Sequence, residues 1–283
     1  MRHTLPLLAA LLGAPLVTSA TLIDFNATAY PSVPTSLAVG DTLLDTDGNT
    51  TNFSYIGQVN NTGTVTTGHY LSMTSDTVNS STSWVRDNAG IAFSGSGAQD
   101  IYRSVKFNVS AVGSGNGLTV GLLTPSAVGT ANGINSSSGF ILSISAITAR
   151  NQFRILRQTE TGAEFWTGSA WSTDANNYIG SFSGGTNYQV VMEFDVDSGN
   201  FSLSIIDETA NSVQGTATTN ISDLSSAATT DGSLIMAVGD VFNNSGNSWT
   251  TNITEISTVP EPAQMGLGIL VLLASLIVRS RRQ

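Results

Sequence analysis

The sequence contains no cysteine. Disulfide bonds, thiol nucleophiles and thiolate-bound metals are therefore excluded from its chemistry. A chain of 283 residues, of which 40% are hydrophobic, does not need cross-links, because it is long enough to bury a substantial apolar core.

Charged residues are also scarce, at 11% of the chain against about 25% in an ordinary soluble domain. Long surface helices are built from Glu, Lys, Arg and Ala, so this composition argues against them. Ser, Thr, Asn and Gly take their place, and these residues favour turns. The composition therefore favours short strands joined by many turns.

Basic residues are half as many as acidic residues, with 10 Lys and Arg against 20 Asp and Glu. Four of the ten lie at the ends of the chain, namely Arg2, Arg279, Arg281 and Arg282. Residues 21–258 keep six basic and nineteen acidic residues, a net charge of −13. Nucleic-acid binding is excluded, because it needs clustered Lys and Arg against phosphates.

The N-terminus has the three parts of a secretory signal peptide. Arg2 precedes an apolar run at residues 5–17, and Thr-Ser-Ala at 18–20 supplies the small residues that a signal peptidase reads. The alternative is an uncleaved anchor, but the run is short for a membrane span and contains two prolines. We expect residues 1–20 to be removed, which leaves Thr21 as the mature N-terminus.

The C-terminus combines three further features. Pro260 and Pro262 flank Glu261 and keep this segment extended. An uncharged apolar run follows at residues 265–278, shorter than the ~20 residues that span a bilayer upright. The three terminal arginines come next, and the positive-inside rule predicts that they remain in the cytoplasm as a membrane stop.

This tail resembles the PEP-CTERM sorting signal of Gram-negative bacteria, which has a Pro-Glu-Pro motif, a short hydrophobic helix and a terminal Arg cluster. All three parts occur in order within residues 259–283. The resemblance implies that Pro260, Glu261 and Pro262 are recognised by an exosortase, a membrane protease or transpeptidase. It also implies an inner-membrane-anchored precursor that later reaches the cell surface or an extracellular polysaccharide matrix. The alternative is a plain single-pass anchor.

Residues 21–258 show short alternating runs rather than helical periodicity. In residues 188–197 the apolar side chains, apart from Val191, fall on one face at period two, and Ser198-Gly199 then supplies a turn before residues 201–205 resume the alternation. This pattern predicts a hairpin with one buried face. Similar runs occur at residues 22–25, 53–59, 101–109, 118–123, 140–147, 153–156, 234–242 and 252–256.

Many short strands with turn signals between them predict an all-β fold, an antiparallel β-sandwich. The length and the hairpin resemble concanavalin-A-like or laminin-G-like jelly rolls at the level of the fold only. Residues 221–228 are the one stretch of the body where we expect a short helical turn.

The strand Glu193-Phe-Asp195-Val-Asp197 is the strongest candidate for catalysis. Jelly-roll glycoside hydrolases carry a similar strand of alternating carboxylates, in which one Glu is the nucleophile and the last is the acid/base. This chain departs from that pattern at Asp197, which also adjoins a turn. A secreted glycoside-active enzyme that uses Glu193 is therefore the alternative, and the preferred interpretation is the polar face of a hairpin without catalytic residues.

Oxygen ligands at alternate positions make Asp45, Asp47 and Asn49 a candidate Ca²⁺ site. An EF-hand loop would need Gly at Thr50 and Glu at Ile56, so that motif is absent. A simple turn is the preferred interpretation, and no other cofactor is indicated.

His69 is the only histidine outside the signal peptide, and any Ser-His-Asp triad would have to use it. No Gly-x-Ser-x-Gly elbow set between a strand and a helix accompanies it. Its neighbours Tyr70, Leu71 and Met73 indicate a strand, so we expect a structural role.

Trp166 and Trp171 flank the segment Thr-Gly-Ser-Ala, which is typical of a hairpin tip. Both rings would then be exposed and able to stack on sugar rings. Core packing is the alternative. Together these features predict a non-catalytic envelope or matrix protein that binds extracellular polysaccharide or a neighbouring surface protein.

Overall fold

The computed structural model describes most of the body of the chain. The described residues are 22–57, 62–75, 83–88, 91–92, 101–110, 116–124, 141–147, 151–159, 162–195, 198–220, 233–240 and 249–258. The segments expected to form the signal peptide (1–20), a helical turn (221–228) and the sorting signal (259–283) lie outside them. Within the described residues, no helix has the length and apolar character needed to cross a bilayer.

The described elements are nineteen β-strands in two antiparallel sheets. Sheet A has the order β17-β16-β15-β9-β19-β6-β5-β2, with β1 also on β19. Its strands are β1 (Leu22–Ile23), β2 (Thr35–Leu37), β5 (Thr62–Val65), β6 (Leu71–Ser75), β9 (Ile101–Ser110), β15 (Asn187–Asp195), β16 (Asn200–Asp207), β17 (Ser212–Asn220) and β19 (Trp249–Ser257).

Sheet B has the order β14-β13-β12-β11-β10-β18-β7-β4-β3, with β8 also on β18. Its strands are β3 (Thr42–Leu44), β4 (Thr50–Gly57), β7 (Ser83–Asp87), β8 (Ile91–Ala92), β10 (Asn116–Leu123), β11 (Ile141–Ile147), β12 (Gln152–Thr159), β13 (Gly162–Trp166), β14 (Trp171–Ser172) and β18 (Ser233–Asp240).

The core lies between the inner faces of the two sheets. Because side chains alternate across a strand, residues in register on neighbouring strands share a face. In sheet B, one inward row is Val85, Val238, Val120, Ile144 and Ile155, and all five are buried. The fold is therefore the all-β antiparallel sandwich that the sequence predicts.

The hairpin predicted at residues 188–205 is confirmed. Strands β15 and β16 pair with Asp195 opposite Asn200, and residues 198–199 form the turn. Tyr188, Val190 and Met192 are buried on the inner face, as the alternation predicts.

The first predicted strand is shorter than expected. Residues 22–25 were expected to be extended, but β1 ends at Ile23 and Phe25 has a positive φ of 55°. The reason is local: the side chain of Asn26 accepts hydrogen bonds from the backbone N–H groups of Thr28 and Ala29, which turns the chain.

Candidate functional site

Trp166 and Trp171 lie at a hairpin tip, where the sequence places them. They pair directly across β13 and β14, and the N–H of Thr167 donates to the carbonyl of Ala170 at 2.9 Å. The expected joint exposure is wrong, however, because Trp166 is only 7% exposed and belongs to the core. Trp171 is half-buried.

Both indoles are turned inward because each finds a partner on the opposite sheet. The Nε1–H of Trp166 donates to the Thr216 carbonyl at 2.8 Å, and that of Trp171 donates to Thr219 Oγ1 at 3.3 Å. The two rings meet edge to face, with their centroids 5.2 Å apart. The pair therefore closes one side of the sandwich between β14 and β17, as the core-packing alternative describes.

The other face of the same hairpin carries what we call the Arg154 cluster: Arg154, Phe165 and Tyr178. The Arg154 Cζ atom lies 5.1 Å from the Phe165 ring centroid and 4.8 Å from that of Tyr178. One guanidinium nitrogen also donates to the Tyr178 hydroxyl at 2.7 Å and to the Ala175 carbonyl at 3.2 Å. The arginine is thus held against two aromatic rings, each a favourable cation–π contact.

The loop at residues 173–178 surrounds this cluster with polar groups. Asp174 Oδ1 accepts from the backbone and side-chain nitrogens of Asn176 at 2.9 and 3.0 Å, and Asn177 Nδ2 donates to the Asp174 carbonyl at 2.8 Å. Reciprocal backbone hydrogen bonds between Ile179 and Phe153 pin the end of the loop beside Arg154. Because Phe165 is buried, the accessible part of this region combines the half-buried Tyr178 ring with the amides and the carboxylate of the loop.

Sequence reasoning did not single out the Arg154 cluster. The expected strand at 153–156 does contain its signal, because Phe153 and Ile155 face the core and leave Arg154 on the outer face. The position of Tyr178 had no comparable signal, since it depends on where the loop after β14 returns to β12.

A second arginine is held by an aromatic ring on the outer face of sheet B. The Arg86 Cζ atom lies 5.8 Å from the Trp84 ring centroid. Its Nε donates to Asn88 Oδ1 at 2.8 Å, and Asn88 Nδ2 donates to Ser54 Oγ at 2.7 Å. These four residues, the Arg86 cluster, fix the guanidinium to β4 and β7.

Glu193 lies on the exposed outer face of β15, as the hairpin interpretation predicts. Ser202 on the neighbouring strand donates a long hydrogen bond of 3.4 Å to its Oε2 atom. Asp195 is in register with Asn200 at the end of β15, whereas Asp197 lies outside the described residues.

The Asp45 loop is closed by its own hydrogen bonds. Asp45 Oδ1 accepts from the backbone N–H groups of Asp47 and Asn49 at 3.0 and 2.8 Å, and Asn49 Nδ2 also donates to this carboxylate. These bonds hold the pKa of Asp45 below its ordinary value, and the bond from the Asn49 backbone N–H contributes most. Within the described ranges, no group of three His, Asp or Glu side chains could hold a metal.

His69 has a structural position, in the turn before β6 rather than in a strand. Its φ is 57°, and its Nδ1 lies 3.0 Å from the Phe25 carbonyl oxygen. Because a carbonyl only accepts, Nδ1 carries the proton in this contact. The imidazole therefore connects this turn to the segment that follows β1.

The sorting residues Pro260, Glu261 and Pro262 and the membrane-stop residues Arg279, Arg281 and Arg282 lie outside the described residues. Their roles remain predictions from the sequence.

No family model and no curated protein matches this chain. Among solved structures, it is similar to lectin II from Ulex europaeus, with 12% identity over 80% of this chain and 97% of that one and a TM-score of 0.49. It is similar to winged bean acidic lectin in complex with methyl-α-D-galactose, with 12% identity, 80% and 99% coverage and a TM-score of 0.49. It is also similar to arcelin-5, a lectin-like defence protein from Phaseolus vulgaris, with 11% identity, 80% and 97% coverage and a TM-score of 0.48.

Proposed function

We propose that the body of this protein is a non-catalytic carbohydrate-binding β-sandwich at the envelope of a Gram-negative bacterium, where it associates with extracellular polysaccharide. The observation that supports this function best is the Arg154 cluster with the polar loop at residues 173–178.

A sugar presents an apolar ring face and a rim of hydroxyl groups, so it binds to an aromatic ring bordered by hydrogen-bonding side chains. Tyr178 is half-buried and is held in place by Arg154, so little conformational entropy would be lost on binding. Asn176 and Asp174 are exposed beside it and provide amide and carboxylate groups for hydroxyls. Trp171, half-buried on the other face of the hairpin, is the remaining candidate from the sequence.

Hydrolysis by Glu193 receives less support. A glycosidase needs two carboxyl groups about 5–9 Å apart on either side of the scissile bond. Glu193 lies on an exposed strand face, and its directly opposite neighbours on the two adjacent strands, Ser202 and Tyr102, provide no second carboxyl group. Binding without turnover is therefore the function we propose.

The localisation of the protein is also part of the proposal. Signal peptidase would remove residues 1–20, and an exosortase would act at Pro260, Glu261 and Pro262 after the C-terminal run and Arg279, Arg281 and Arg282 had stopped translocation. The sandwich would then be delivered to the cell surface or matrix.

A glycan array tests the binding function. Purified protein with residues 21–258 should retain a subset of the glycans, and the array should be read both with Ca²⁺ and with a chelator, since Asp45, Asp47 and Asn49 are the candidate Ca²⁺ site from the sequence. Tyr178→Ala should reduce binding about tenfold, which is the effect of losing about 1.4 kcal/mol. Tyr70→Ala, at a half-buried tyrosine in a different loop, is the matched control. A folded protein that retains no glycan would refute the proposal.

A further inference from the structure

The first and last described strands lie side by side at one end of the sandwich. β1 pairs antiparallel with the C-terminal part of β19, with Leu22 opposite Ser257 and Ile23 opposite Ile256. The backbone N–H of Thr46 donates to the Leu22 carbonyl at 3.0 Å, and both isoleucines are fully buried. Because the pairing is antiparallel, β1 starts where β19 ends. We call this the exit end, since the chain enters and leaves the described body there.

The strands of sheet A also define the opposite end, which we call the far end. β9 runs from the exit end, where Ser104 pairs with Ser257, to Ser110 at the far end. β15 and β16 continue the antiparallel order, so the turn at residues 198–199 lies at the exit end and the turn at 208–211 lies at the far end. β16 has eight residues, so these two turns are about 27 Å apart along the strand.

The Arg154 cluster lies in the half of the sandwich toward the far end. Tyr178 is followed by Gly180, which packs against the backbone of Gln214, the third residue of β17. The chain then reaches the far end itself, where the N–H of Gly185 donates to the Val109 carbonyl at 3.0 Å, one residue before the end of β9. The cluster is therefore remote from both places where the chain enters and leaves the body.

The predicted anchor would hold the body through a short tether. In the sequence, the six residues 259–264 separate the last described residue from the apolar run at 265–278. Fully extended, they reach at most about 20 Å, and their two prolines restrict their conformations. Until signal peptidase acts, residues 18–21 would tether Leu22 at the same end. Both tethers therefore hold the exit end near the bilayer and leave the far end remote from it.

We propose that, in the membrane-anchored precursor, the exit end faces the bilayer and the Arg154 cluster faces away from it, accessible to polysaccharide before the tail is processed. This inference rests on the proposed carbohydrate-binding function and localisation, and it adds the orientation of the site. The tether imposes this orientation rather than attraction to lipid headgroups, because a body with a net charge of −13 is repelled by anionic lipids.

The test uses introduced thiols, because the chain contains no cysteine of its own. Ser198→Cys and Thr209→Cys place a fluorophore at the two exposed turns that flank β16, one at each end of the sandwich. The precursor without its leader, residues 21–283, is reconstituted in phosphatidylcholine vesicles that contain a headgroup-linked acceptor dye. Energy transfer should be severalfold stronger from Ser198→Cys, because the two turns are about 27 Å apart.

A longer tether is the matched control. Insertion of about twenty Gly and Ser residues after Thr258 gives a flexible linker and should make transfer from the two labels equal. Accessibility is measured with Ala175→Cys, at an exposed position in the loop beside Tyr178. A maleimide-linked dextran should modify this thiol as fast in vesicles as in detergent solution. It should modify Asp47→Cys, next to Thr46 at the exit end, severalfold more slowly in vesicles.

The outcomes separate this inference from the proposed function. Equal transfer from both labels with the native tether, or stronger transfer from Thr209→Cys, would overturn the orientation and leave carbohydrate binding intact. A difference that persists with the long linker would overturn the tether as its cause. Slow modification of Ala175→Cys in vesicles would overturn the accessibility of the site before processing. A precursor that does not associate with the vesicles would overturn the inference together with the proposed anchor. A blank glycan array with the expected transfer would overturn carbohydrate binding alone.

Discussion

The carboxylate of Asp45 organises the loop between β3 and β4. Oδ1 accepts the backbone N–H groups of Asp47 and Asn49, and the side chain of Asn49 closes the loop from the other side. An ionised carboxylate accepts these bonds better than a protonated one, which is why the pKa of Asp45 is lowered. The residue that the sequence offered as a calcium ligand thus already has donors within its own loop.

This lowered pKa gives a pH dependence of known sign. A carboxyl group whose pKa is lower in the folded state stabilises the fold above its unfolded pKa, about 3.9, and the effect is lost as the pH falls through the folded pKa. Wild type should therefore be more stable than Asp45→Asn at pH 7, and the gap should close as the pH falls below about 4. Urea unfolding of both proteins at several pH values measures this difference in stability.

Asp47→Asn is the control for this experiment. It removes the same charge from the same loop, but among the described residues no hydrogen bond ends on the Asp47 carboxylate. Its stability should follow that of wild type at all pH values, and an effect as large as that of Asp45→Asn would contradict the assignment.

The buried position of Trp166 changes what its mutation should do. Trp166→Ala would leave a cavity and an unpaired Thr216 carbonyl, so the free energy of unfolding should fall by about 3–5 kcal/mol. Trp171→Ala should cost less, because that side chain is only half-buried. Denaturant unfolding of both variants measures the difference. A Trp166→Ala protein of wild-type stability that had lost sugar binding would restore the stacking hypothesis.

At the scale of elements, β17 is the long edge strand of sheet A, and its outer side is partly covered. Trp166 Nε1–H donates a hydrogen bond to the Thr216 carbonyl, and the backbone N–H of Ser181 donates to Gln214 Oε1. Gly180 also packs against the Gln214 backbone. Covered backbone groups cannot pair with another chain, so this packing protects the edge.

Gly180 is the position where this contact is most sensitive. Its φ is 58°, and a Cβ atom there would collide with the backbone carbonyl oxygen of Gln214. Gly180→Ala should therefore cost more than the ~1–2 kcal/mol of a left-handed residue alone, since the loop must also move off β17. Gly185→Ala is the control, with a φ of 81° and open space around its Cβ. Equal losses in urea unfolding would contradict the proposed contact.

Strands with strong alternation were predicted from the sequence, and polar edge strands were not. The run at residues 188–194 shows its buried face directly because every second residue is apolar. By contrast, β17 has the burial pattern of an edge, with Ala217 its only buried residue, and no apolar period marks it. Edge strands need only backbone pairing on one side, so composition gives little sign of them.

At the scale of the whole molecule, the acidic sandwich and its basic tail have separate roles in our proposal. The tail should hold the motif at residues 260–262 at the outer surface of the inner membrane, where an exosortase can act. Glu261→Ala should leave export intact and retain the full-length form in the membrane. Mass spectrometry of the C-terminal peptide measures this. Protein recovered from the surface of an exosortase-containing host with Gln283 still attached would contradict processing.

The sequence by itself determined the all-β class, the central hairpin and the acidity of the body, because each follows from local alternation or from composition. The proposed localisation at the envelope also rests on the sequence alone, because it depends on two terminal segments that are recognised from their residues rather than from a fold. Only the tertiary structure decided that Trp166 is buried and that Arg154 meets Tyr178, since both depend on which strands become neighbours. It also decided the ion pairs of the described residues, because a pair such as Arg103 with Asp87 joins different sheets and has no fixed spacing in the sequence.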